Sequence, residues 1–532
     1  MRIYLLWIFF SVTLLIQGCA YHSPKPIHAH QETVELKQRY YQAKTITADG
    51  TVLAFTVYQP HLKVGQTAPL LLHTHGFGLS RMKRPELSLY GFLLPTGQVA
   101  KTAWKNGYWV ISYDQRGHGN SKGKIRLADP NKEAQDIISI MNWAEKHLPQ
   151  LAKNQNGVRT GMIGESYAGG VQYLASALDP RLQAIVPITT WYDLVNSLAP
   201  NGVPKSNWIG FLNLIGDWWN WNKFDPELKQ AYQETQQGLL NESSYHFLKM
   251  HQARWFCEHG QAPQADALII QGFRDILFPF NEGVKAAECV KQARQKVHLI
   301  GVQGGHLQPL AQHSPSGQTP FWYIGKSVHC GDKQHYNLQN TILKWFDQKL
   351  KDQTTTLKLP ELCVDHSPVT QLTDLNPTTS YTMNRTWIAA TKTQAVFVPI
   401  HEAKQATHIT GSPLLTLNVE AESNDPVLFI SVAVKSKETG KYVVLNEQTA
   451  PFNHAKKQIY DQITLGLTHS DSHHQRIELP SINGKLNEGD TLGLLINSES
   501  IYYQKVKQPK IEAWISGQIV LPKLWFGEDA NQ

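Results

Sequence analysis

One serine in this chain lies in a sequence that suits a catalytic nucleophile. Ser166 stands in Gly164-Glu-Ser-Tyr-Ala-Gly169, directly after an apolar stretch and before a helical pattern over residues 171–178. A sharp turn between a strand and a helix strains the serine backbone and exposes its hydroxyl, and flanking glycines let the two elements approach closely. The pattern predicts that Ser166 is a nucleophile, with a structural serine in a tight turn as the alternative. Ala168 occupies the position at which the general motif has its second glycine.

A serine hydroxyl needs a base to become a nucleophile, and an acid and a histidine follow in the expected order. Asp275 comes shortly after the apolar run 267–270, and His306 lies in a Gly-Gly-His loop after the next apolar run. We expect His306 to take the proton of Ser166 and Asp275 to fix the imidazole tautomer. Asp193, which follows an earlier strand, is the alternative acid.

The tetrahedral intermediate of acyl transfer needs two hydrogen-bond donors for its oxyanion. The backbone N–H of Tyr167, the residue after the nucleophile, is expected to be one of them. The other should come from His75-Gly-Phe-Gly78, which follows an apolar strand, and the Phe77 N–H is the best placed. This chemistry requires no cofactor and no metal.

The elements around these residues alternate between strands and helices. Continuous apolar runs such as residues 69–72, 182–188 and 297–300 are typical of strands buried on both faces of a parallel sheet. Their alternation with helical patterns predicts a doubly wound α/β sheet, here of the α/β-hydrolase kind, over residues 44–352. Residues 191–262 are rich in tryptophan and helix formers and contain no clear strand, so they are predicted to form a helical cap.

The chain changes in character after about residue 363. Short stretches of alternating polar and apolar residues, separated by turn residues, follow one another to residue 525. Leu415, Leu417 and Val419, for example, alternate with polar residues. This pattern predicts a second folding unit, an all-β sandwich.

The N-terminus has the features of an export signal. Arg2 precedes an apolar run over residues 3–16, which is too short to span a bilayer as a helix. Ile16-Gln-Gly-Cys19 resembles the lipobox of bacterial lipoproteins, and this resemblance implies cleavage after residue 18 and acylation of Cys19. Ala20 in the next position implies the outer membrane, and residues 19–43 are predicted to be a tether. An ordinary secretory signal peptide is the alternative.

Four cysteines remain after removal of the signal peptide, and none are in CxxC spacing, which disfavours a structural zinc site. Export places them in an oxidising compartment, where an even number favours disulfides. Of the three possible pairings, Cys257–Cys289 with Cys330–Cys363 is preferred because each pair would join neighbouring elements. Buried free thiols are the alternative.

The charge pattern argues against a nucleic-acid partner. The formal net charge is +7, but no block of five or six basic residues appears. The expected partners are therefore a small ester, amide or short peptide substrate and, through Cys19, a membrane.

Several motifs together resemble one enzyme family. Gly164-Glu-Ser-Tyr-Ala-Gly169 resembles the G-x-S-Y-x-G elbow of the X-prolyl dipeptidyl aminopeptidase and cocaine esterase (CocE/NonD) family. Residues 188–195 and Gly202-Val-Pro are similar to its entry into the helical cap, and the C-terminal β region looks like its jelly-roll domain. In that family a tyrosine hydroxyl typically serves as an oxyanion donor. His75-Gly-Phe77 has no tyrosine there, which favours a backbone donor.

The sequence therefore predicts a serine hydrolase that cleaves an ester or amide bond through an acyl-enzyme on Ser166. An X-Pro dipeptidyl aminopeptidase is the second hypothesis. Such an enzyme needs a carboxylate for the substrate amino terminus, and the sequence singles out none. A third hypothesis, from another class, is a non-catalytic surface lipoprotein whose sandwich binds carbohydrate or a protein partner.

Overall fold

The computed structural model describes residues 34–526 except 93, 221–222, 239, 307–326, 332–333, 352, 354–356, 392, 422–425, 466–474 and 504–509. The predicted signal peptide, Cys19 and most of the predicted tether lie outside these residues. Within the described part of the chain, no helix is both long and apolar enough to cross a membrane.

A large mixed sheet forms the centre of the catalytic unit. The strands in this part of the chain are β1 (Arg39–Ile46), β2 (Val52–Gln59), β3 (Leu70–His73), β4 (Trp109–Tyr113), β5 (Lys153–Asn154), β6 (Gly157–Val158), β7 (Thr160–Glu165), β8 (Leu182–Ile188), β9 (Asp266–Gly272), β10 (Val297–Val302), β11 (Ser327–Cys330), β12 (Gln334–Asn337) and β13 (Leu362–Val364). Nine of them pair in the order β1-β2-β4-β3-β7-β8-β9-β10-β13. The β1–β2 hairpin is antiparallel to its neighbour β4, and the strands from β4 to β13 are parallel. The apolar runs therefore form parallel strands, as expected.

Helices cover both faces of this sheet. They are α1 (Leu89–Phe92), α2 (Pro95–Lys105), α3 (Glu133–His147), α4 (Tyr167–Leu178), α5 (Leu194–Leu198), α6 (Ser206–Asn220), α7 (Pro226–Gln236), α8 (Glu242–Leu248), α9 (Ala253–Glu258), α10 (Phe280–Gln292) and α11 (Leu338–Leu350). Apolar residues of α3, α4 and α10 share one core with the sheet, and those of α2 and α11 share the core on its other face. Helices α5 to α9 lie between β8 and β9 in the chain and form the predicted cap.

The C-terminal unit is built almost entirely from antiparallel strands. They are β14 (Pro377–Thr391), β15 (Val396–Glu402), β16 (Thr407–Gly411), β17 (Leu414–Ala421), β18 (Leu428–Lys435), β19 (Tyr442–Val444), β20 (Ala450–Phe452), β21 (Gln475–Glu478), β22 (Ile482–Leu486), β23 (Thr491–Asn497), β24 (Lys510–Pro522) and β25 (Leu524–Phe526), with one helix, α12 (His454–Leu465). The sheets β14-β24-β17-β21 and β15-β23-β18-β19 enclose a common apolar core. Alternating residues of each strand supply this core, as the sequence pattern indicates.

Two predicted boundaries differ from the structure. Strand β13 lies at residues 362–364 and pairs in parallel with β10, so the central sheet extends past residue 363, where the sandwich was predicted to begin. The first strand of the sandwich, β14, begins at Pro377. At the other end, β1 begins at Arg39, so residues 39–43 belong to the sheet and not to the tether. The predicted sheet began too late, at residue 44, although β1 pairs with the neighbouring strand β2, and β13 was missed because its partner β10 lies far earlier in the sequence.

Two disulfides join elements in the pairing preferred from the sequence. Cys257 of α9 bonds Cys289 of α10, with 5.9 Å between their Cα atoms. Cys330 of β11 bonds Cys363 of β13, with 4.9 Å between their Cα atoms. The first disulfide links the end of the cap to a helix that packs on the central sheet, and the second links the β11–β12 hairpin to the edge of that sheet.

Buried polar contacts fasten the sandwich to the catalytic unit. The Asn281 side chain of α10 donates to the Leu479 carbonyl at 3.1 Å and accepts from the Ser481 N–H at 2.7 Å. Asn201, at the start of the cap, donates to the Pro451 carbonyl at 3.0 Å. Because these polar groups are buried, separating the sandwich from the catalytic unit would leave several of them without hydrogen-bond partners.

Candidate active site

The turn between β7 and α4 holds Ser166 in a strained conformation. Its φ is +54° and its ψ is −118°, a region that non-glycine residues rarely adopt. A Cβ at Gly164 would lie 2.4 Å from the Ala168 Cβ, so the strand can meet the helix only with glycine at this position. Likewise, a Cβ at Gly169 would lie 2.7 Å from the Thr190 Cβ. Ala168 thus fits because Gly164 leaves room for its methyl group.

The structure brings Ser166, His306 and Asp275 together. Ser166 Oγ lies 3.1 Å from His306 Nε2, and His306 Nδ1 lies 2.9 Å from Asp275 Oδ2. The Asp275 side chain is fully buried and that of His306 is 8% exposed. With its Nδ1 proton donated to the carboxylate, His306 presents an unprotonated Nε2 to the serine hydroxyl. This arrangement can activate Ser166 as a nucleophile.

Hydrogen bonds fix the plane of the Asp275 carboxylate. Its Oδ1 accepts from the N–H groups of Leu277 and Phe278, both at 2.9 Å. Its Oδ2 accepts from the Thr189 hydroxyl as well as from His306. The carboxylate is therefore held in one orientation before any substrate arrives.

The alternative acid, Asp193, has a different role. It accepts from the Asn196 N–H at 2.9 Å as the N-cap of α5 and forms an ion pair with Arg254 at 2.8 Å. Asp193 therefore stabilises the start of the cap, and the structure does not bring it to His306.

Two residues from outside the central unit hold the loop of Asp275. Lys205, in the cap, donates to the carbonyls of Ile276 at 2.8 Å and Leu277 at 2.9 Å. Burial lowers the pKa of Lys205 to about 8, although the negative charges of Asp275 and Glu282 oppose this shift. Sequence reasoning did not find this lysine, because its partners are backbone carbonyls, which leave no pattern in the sequence.

Gln448, in the sandwich, makes a comparable contact. Its side-chain amide donates to the carbonyls of Phe273 at 2.8 Å and Asp275 at 3.0 Å. The residue is 5% exposed. The loop that carries the acid is thus bound from both the cap and the sandwich.

The predicted oxyanion donors lie beside Ser166. Phe77 and Tyr167 line the same cavity as Ser166, and their rings are in edge contact with centroids 5.6 Å apart. The neighbouring Gly76 N–H already donates to Tyr90 Oη at 2.7 Å. No described residue accepts a hydrogen bond from the N–H of Phe77 or of Tyr167, so both remain available for an oxyanion.

Glu165 connects the nucleophile strand to the loop of Phe77. Its buried carboxylate accepts from the Tyr90 hydroxyl, from Thr96 Oγ1 at 2.7 Å and from the Gly76 N–H at 3.3 Å. Burial raises the pKa of Glu165, while the hydrogen bonds from Tyr90 and Thr96 oppose the shift. The sequence motif contains Glu165 but gave no indication of this positioning role.

An apolar cavity opens from Ser166 into the cap. Its empty volume is about 740 Å³, including the open mouth. The walls come from the loop of Phe77, the start of α4 and the cap helices; the lining residues are Phe77, Leu127, Ser166, Tyr167, Trp191, Leu194, Leu198, Ile209, Leu212, Asn213, Phe224, Leu228, Ala231, Tyr232, Thr235, Leu248, Leu277 and Phe278. No lining residue in the described part of the chain is Asp, Glu, Lys or Arg.

Comparison with protein families identifies one match. The model of the X-Pro dipeptidyl-peptidase (S15) family matches residues 49–308, which contain Ser166, Asp275 and His306. An uncharacterised 31.7 kDa protein from the traX-finO intergenic region of Escherichia coli is 30% identical over 227 residues, which cover 42% of this chain and 67% of that protein.

Solved structures share the fold over nearly the whole chain. A CocE/NonD family hydrolase from Staphylococcus aureus has a TM-score of 0.66 at 15% identity, over 91% of this chain and 94% of its own. An aminopeptidase from a marine-sediment thaumarchaeon has a TM-score of 0.65 at 13% identity, over 94% of this chain and 98% of its own. An α-amino acid ester hydrolase has a TM-score of 0.60 at 14% identity, over 96% of this chain and 99% of its own. The predicted fold class, a capped α/β-hydrolase unit with a C-terminal β-sandwich, is confirmed.

The triad geometry generates a first prediction. Ser166→Ala should abolish covalent labelling by a fluorophosphonate probe, because no other group would take its place as nucleophile. Asp275→Asn should lower turnover by about 10⁴-fold, since an asparagine favours the wrong imidazole tautomer. Turnover of an ester reporter and the labelling rate measure both effects.

Asp193→Asn is the matched control for the acid. It retains the capping oxygen of α5 and should leave turnover within a fewfold of the original protein. If Asp193→Asn is inactive while Asp275→Asn keeps full turnover, the acid has been assigned to the wrong residue.

The contact from the sandwich generates a second prediction. Gln448→Leu should lower kcat by about tenfold or more with little change in KM, because two buried carbonyls beside the acid lose their donor. Thr449→Ala, on the same segment, is the control and should behave like the original protein. An equal loss of kcat in both variants would contradict a positioning role. So would a loss of kcat in Gln448→Leu that is fully explained by a smaller fraction of folded protein.

Proposed function

We propose a substrate class and a location for this chain, which belongs to the X-Pro dipeptidyl-peptidase (S15) family and is a serine hydrolase. The substrate is an ester or amide of an apolar acyl group, and the protein acts as an exported lipoprotein. The observation that carries the substrate assignment is the uncharged cavity next to Ser166.

The geometry supports a two-step acyl transfer. His306 takes the proton of Ser166 as Oγ attacks the substrate carbonyl, and the resulting oxyanion accepts hydrogen bonds from the N–H groups of Phe77 and Tyr167. His306 then gives the proton to the leaving alcohol or amine, and an acyl-enzyme remains on Ser166. A water molecule, activated by the same histidine, hydrolyses this ester and releases the acid. Asp275 stabilises the imidazolium in both steps.

The shape of the cavity favours an apolar acyl group. Leucine, isoleucine and aromatic side chains from the cap line most of it. Among the described cap residues of the lining, Asn213, Tyr232 and Thr235 have polar side-chain groups, and the indole N–H of Trp191 already donates to the His251 carbonyl. Each methylene that a substrate buries there contributes about 0.8 kcal/mol to binding. A charged group would lose its hydration without gaining a partner. Selectivity should therefore increase with the length of an aliphatic acyl chain until the cavity is full.

An X-Pro dipeptidyl peptidase is the second candidate, because the family model bears that description. Such a reaction places a substrate ammonium near the acyl site, which calls for a carboxylate there. Among the described residues near the nucleophile, Glu133 accepts from the Tyr167 hydroxyl at 3.1 Å and Glu165 lies beneath the elbow, but neither lines the cavity. The ester or amide substrate is therefore preferred. The comparisons give no support to the non-catalytic alternative.

A third prediction tests the acyl site. Ala231 lies on α7, 4% exposed, and lines the cavity. Ala231→Phe should fill part of it and lower kcat/KM for an octanoyl ester by about tenfold or more, while an acetyl ester is hydrolysed as before. Reporter esters of graded chain length measure the change.

Gln233→Phe supplies the matched control, because this residue lies on the same helix but is exposed and outside the cavity. Equal losses for acetyl and octanoyl esters in Ala231→Phe would contradict the assignment of the acyl site. Preferential hydrolysis of X-Pro reporters by the unaltered protein would favour the second candidate.

The location rests on the N-terminal sequence. The apolar run over residues 3–16 and the Ile16-Gln-Gly-Cys19 pattern favour cleavage before Cys19 and acylation of that cysteine. The two disulfides support export, because such bonds persist in oxidising compartments. Ala20 favours the outer membrane over the inner membrane.

A fourth prediction tests the anchor. Cys19→Ser should move the protein from membranes, where the original remains after a carbonate wash, to the soluble fraction, because no acyl chain can be attached. Ala20→Ser retains the cysteine and should remain with membranes. Mass spectrometry of the mature N-terminus should find an acylated Cys19. Membrane retention of Cys19→Ser, or an intact peptide bond between residues 18 and 19 in the mature protein, would rule out the proposal that Cys19 is a lipid anchor.

A further inference from the structure

A group of histidines and a buried aspartate lies at the edge of the central sheet. His329 is on β11 of the β11–β12 hairpin, and Asp365 and His366 form the turn after β13. One ligand atom from each of the three residues lies within 4.8 Å of the others. None of the three lines the apolar cavity or contacts the triad in the described structure.

The distances suit a shared metal ion. His329 Nδ1 lies 3.6 Å from Asp365 Oδ1, and His366 Nε2 lies 3.8 Å from the same oxygen. Ligand atoms about 2.0–2.1 Å from a tetrahedral Zn²⁺ are roughly 3.3–3.4 Å apart, so a shift of a few tenths of an ångström closes the site. These separations are too long for direct hydrogen bonds and leave room for a central ion.

His329 supplies an independent indication. Its side chain is 41% exposed, but the Nδ1 atom itself is shielded from solvent and makes no hydrogen bond to any described residue. A buried nitrogen without a partner costs free energy, whereas coordination to a metal would satisfy it. The nitrogen faces the Asp365 carboxylate, which is itself 2% exposed.

Three imidazole rings converge at this place. The His329 and His366 rings stack with centroids 4.6 Å apart, and the His335 ring lies 4.8 Å from that of His329. His335 is the cross-strand partner of His329 in the β11–β12 hairpin. Its ring borders that of His329 on the same hairpin, so it is the fourth candidate ligand.

The surrounding frame is already rigid. The His329 N–H donates to Asp365 Oδ1 at 3.0 Å, and the His366 N–H donates to the His329 carbonyl at 3.2 Å. The disulfide between Cys330 and Cys363 joins the same two segments. Because the ligands are held close together in advance, little conformational entropy would be lost on binding a metal.

We propose that His329, Asp365 and His366 bind a divalent transition metal ion, with Zn²⁺ as the expected occupant and His335 as the fourth ligand. Two or three imidazole nitrogens and one carboxylate form a donor set that Zn²⁺ accepts readily, whereas Ca²⁺ and Mg²⁺ prefer oxygen. The ion would act as a structural clamp, joining the β11–β12 hairpin to the sheet edge beside the disulfide. The sequence predicts no metal here because the ligands come from two distant segments.

The test is a titration of the full chain, purified without a histidine tag and treated with EDTA. Isothermal calorimetry with ZnCl₂ should find one site of micromolar or tighter affinity, and saturation should raise Tm by several degrees. Ester turnover at 25 °C should change little, which separates this proposal from the proposed function.

Variants locate the site. His366 has a φ of +55°, a conformation that asparagine tolerates, so His366→Asn should fold normally. It should weaken Zn²⁺ binding at least tenfold and remove the Tm increase, and His329→Gln should do the same. His246→Asn is the control, because His246 forms an exposed pair with Glu242 at 3.3 Å that lacks further ligands.

Each remaining outcome is decisive. Absence of Zn²⁺ binding to the original protein would overturn the proposal, as would undiminished binding and Tm increase in the His329→Gln and His366→Asn variants. Loss of affinity in His335→Gln would support the four-ligand form, and unchanged affinity would overturn the assignment of the fourth ligand.

Discussion

The narrow turn at Ser166 is the constraint on which the catalytic unit depends. Strand β7 and helix α4 meet so closely that a Cβ at Gly164 would overlap the Ala168 methyl group. Ser166 accepts a positive φ as a consequence, and its Oγ is thereby directed to His306. The residue before it, Glu165, points the other way and holds the loop of Phe77. One strained turn thus orders both the nucleophile and one of the expected oxyanion donors.

The position of the acid depends on contacts from the whole chain. Asp275 follows β9 of the central sheet, but its loop accepts hydrogen bonds from Lys205 of the cap and Gln448 of the sandwich. Neither contact provides chemistry of its own. Both limit the number of conformations available to the acid loop, and such preorganisation lowers the cost of reaching the transition state. The sandwich is therefore part of the active-site framework.

The sequence predicted those features that have a local cause. Continuous apolar runs indicated the parallel strands, and the order of Ser166, Asp275 and His306 indicated residues that the fold brings together, because strand ends meet at one edge of the sheet. The positions of Lys205 and Gln448 had no such signal, since a side chain that binds backbone carbonyls imposes no pattern on sequence. Strand β13 was missed for a related reason: three residues carry too little periodicity, and the strand is defined by its partner β10.

The link between α9 and α10 has a consequence for how the cap is held. Cys257 and Cys289 join the last helix of the cap to helix α10 of the catalytic unit, so that end of the cap is covalently fixed. The first part of the cap is held as well, because Asn201 donates to the Pro451 carbonyl and Lys205 donates to the Ile276 carbonyl. The cap is thus tied to the rest of the chain at both of its ends, covalently at one and by buried hydrogen bonds at the other.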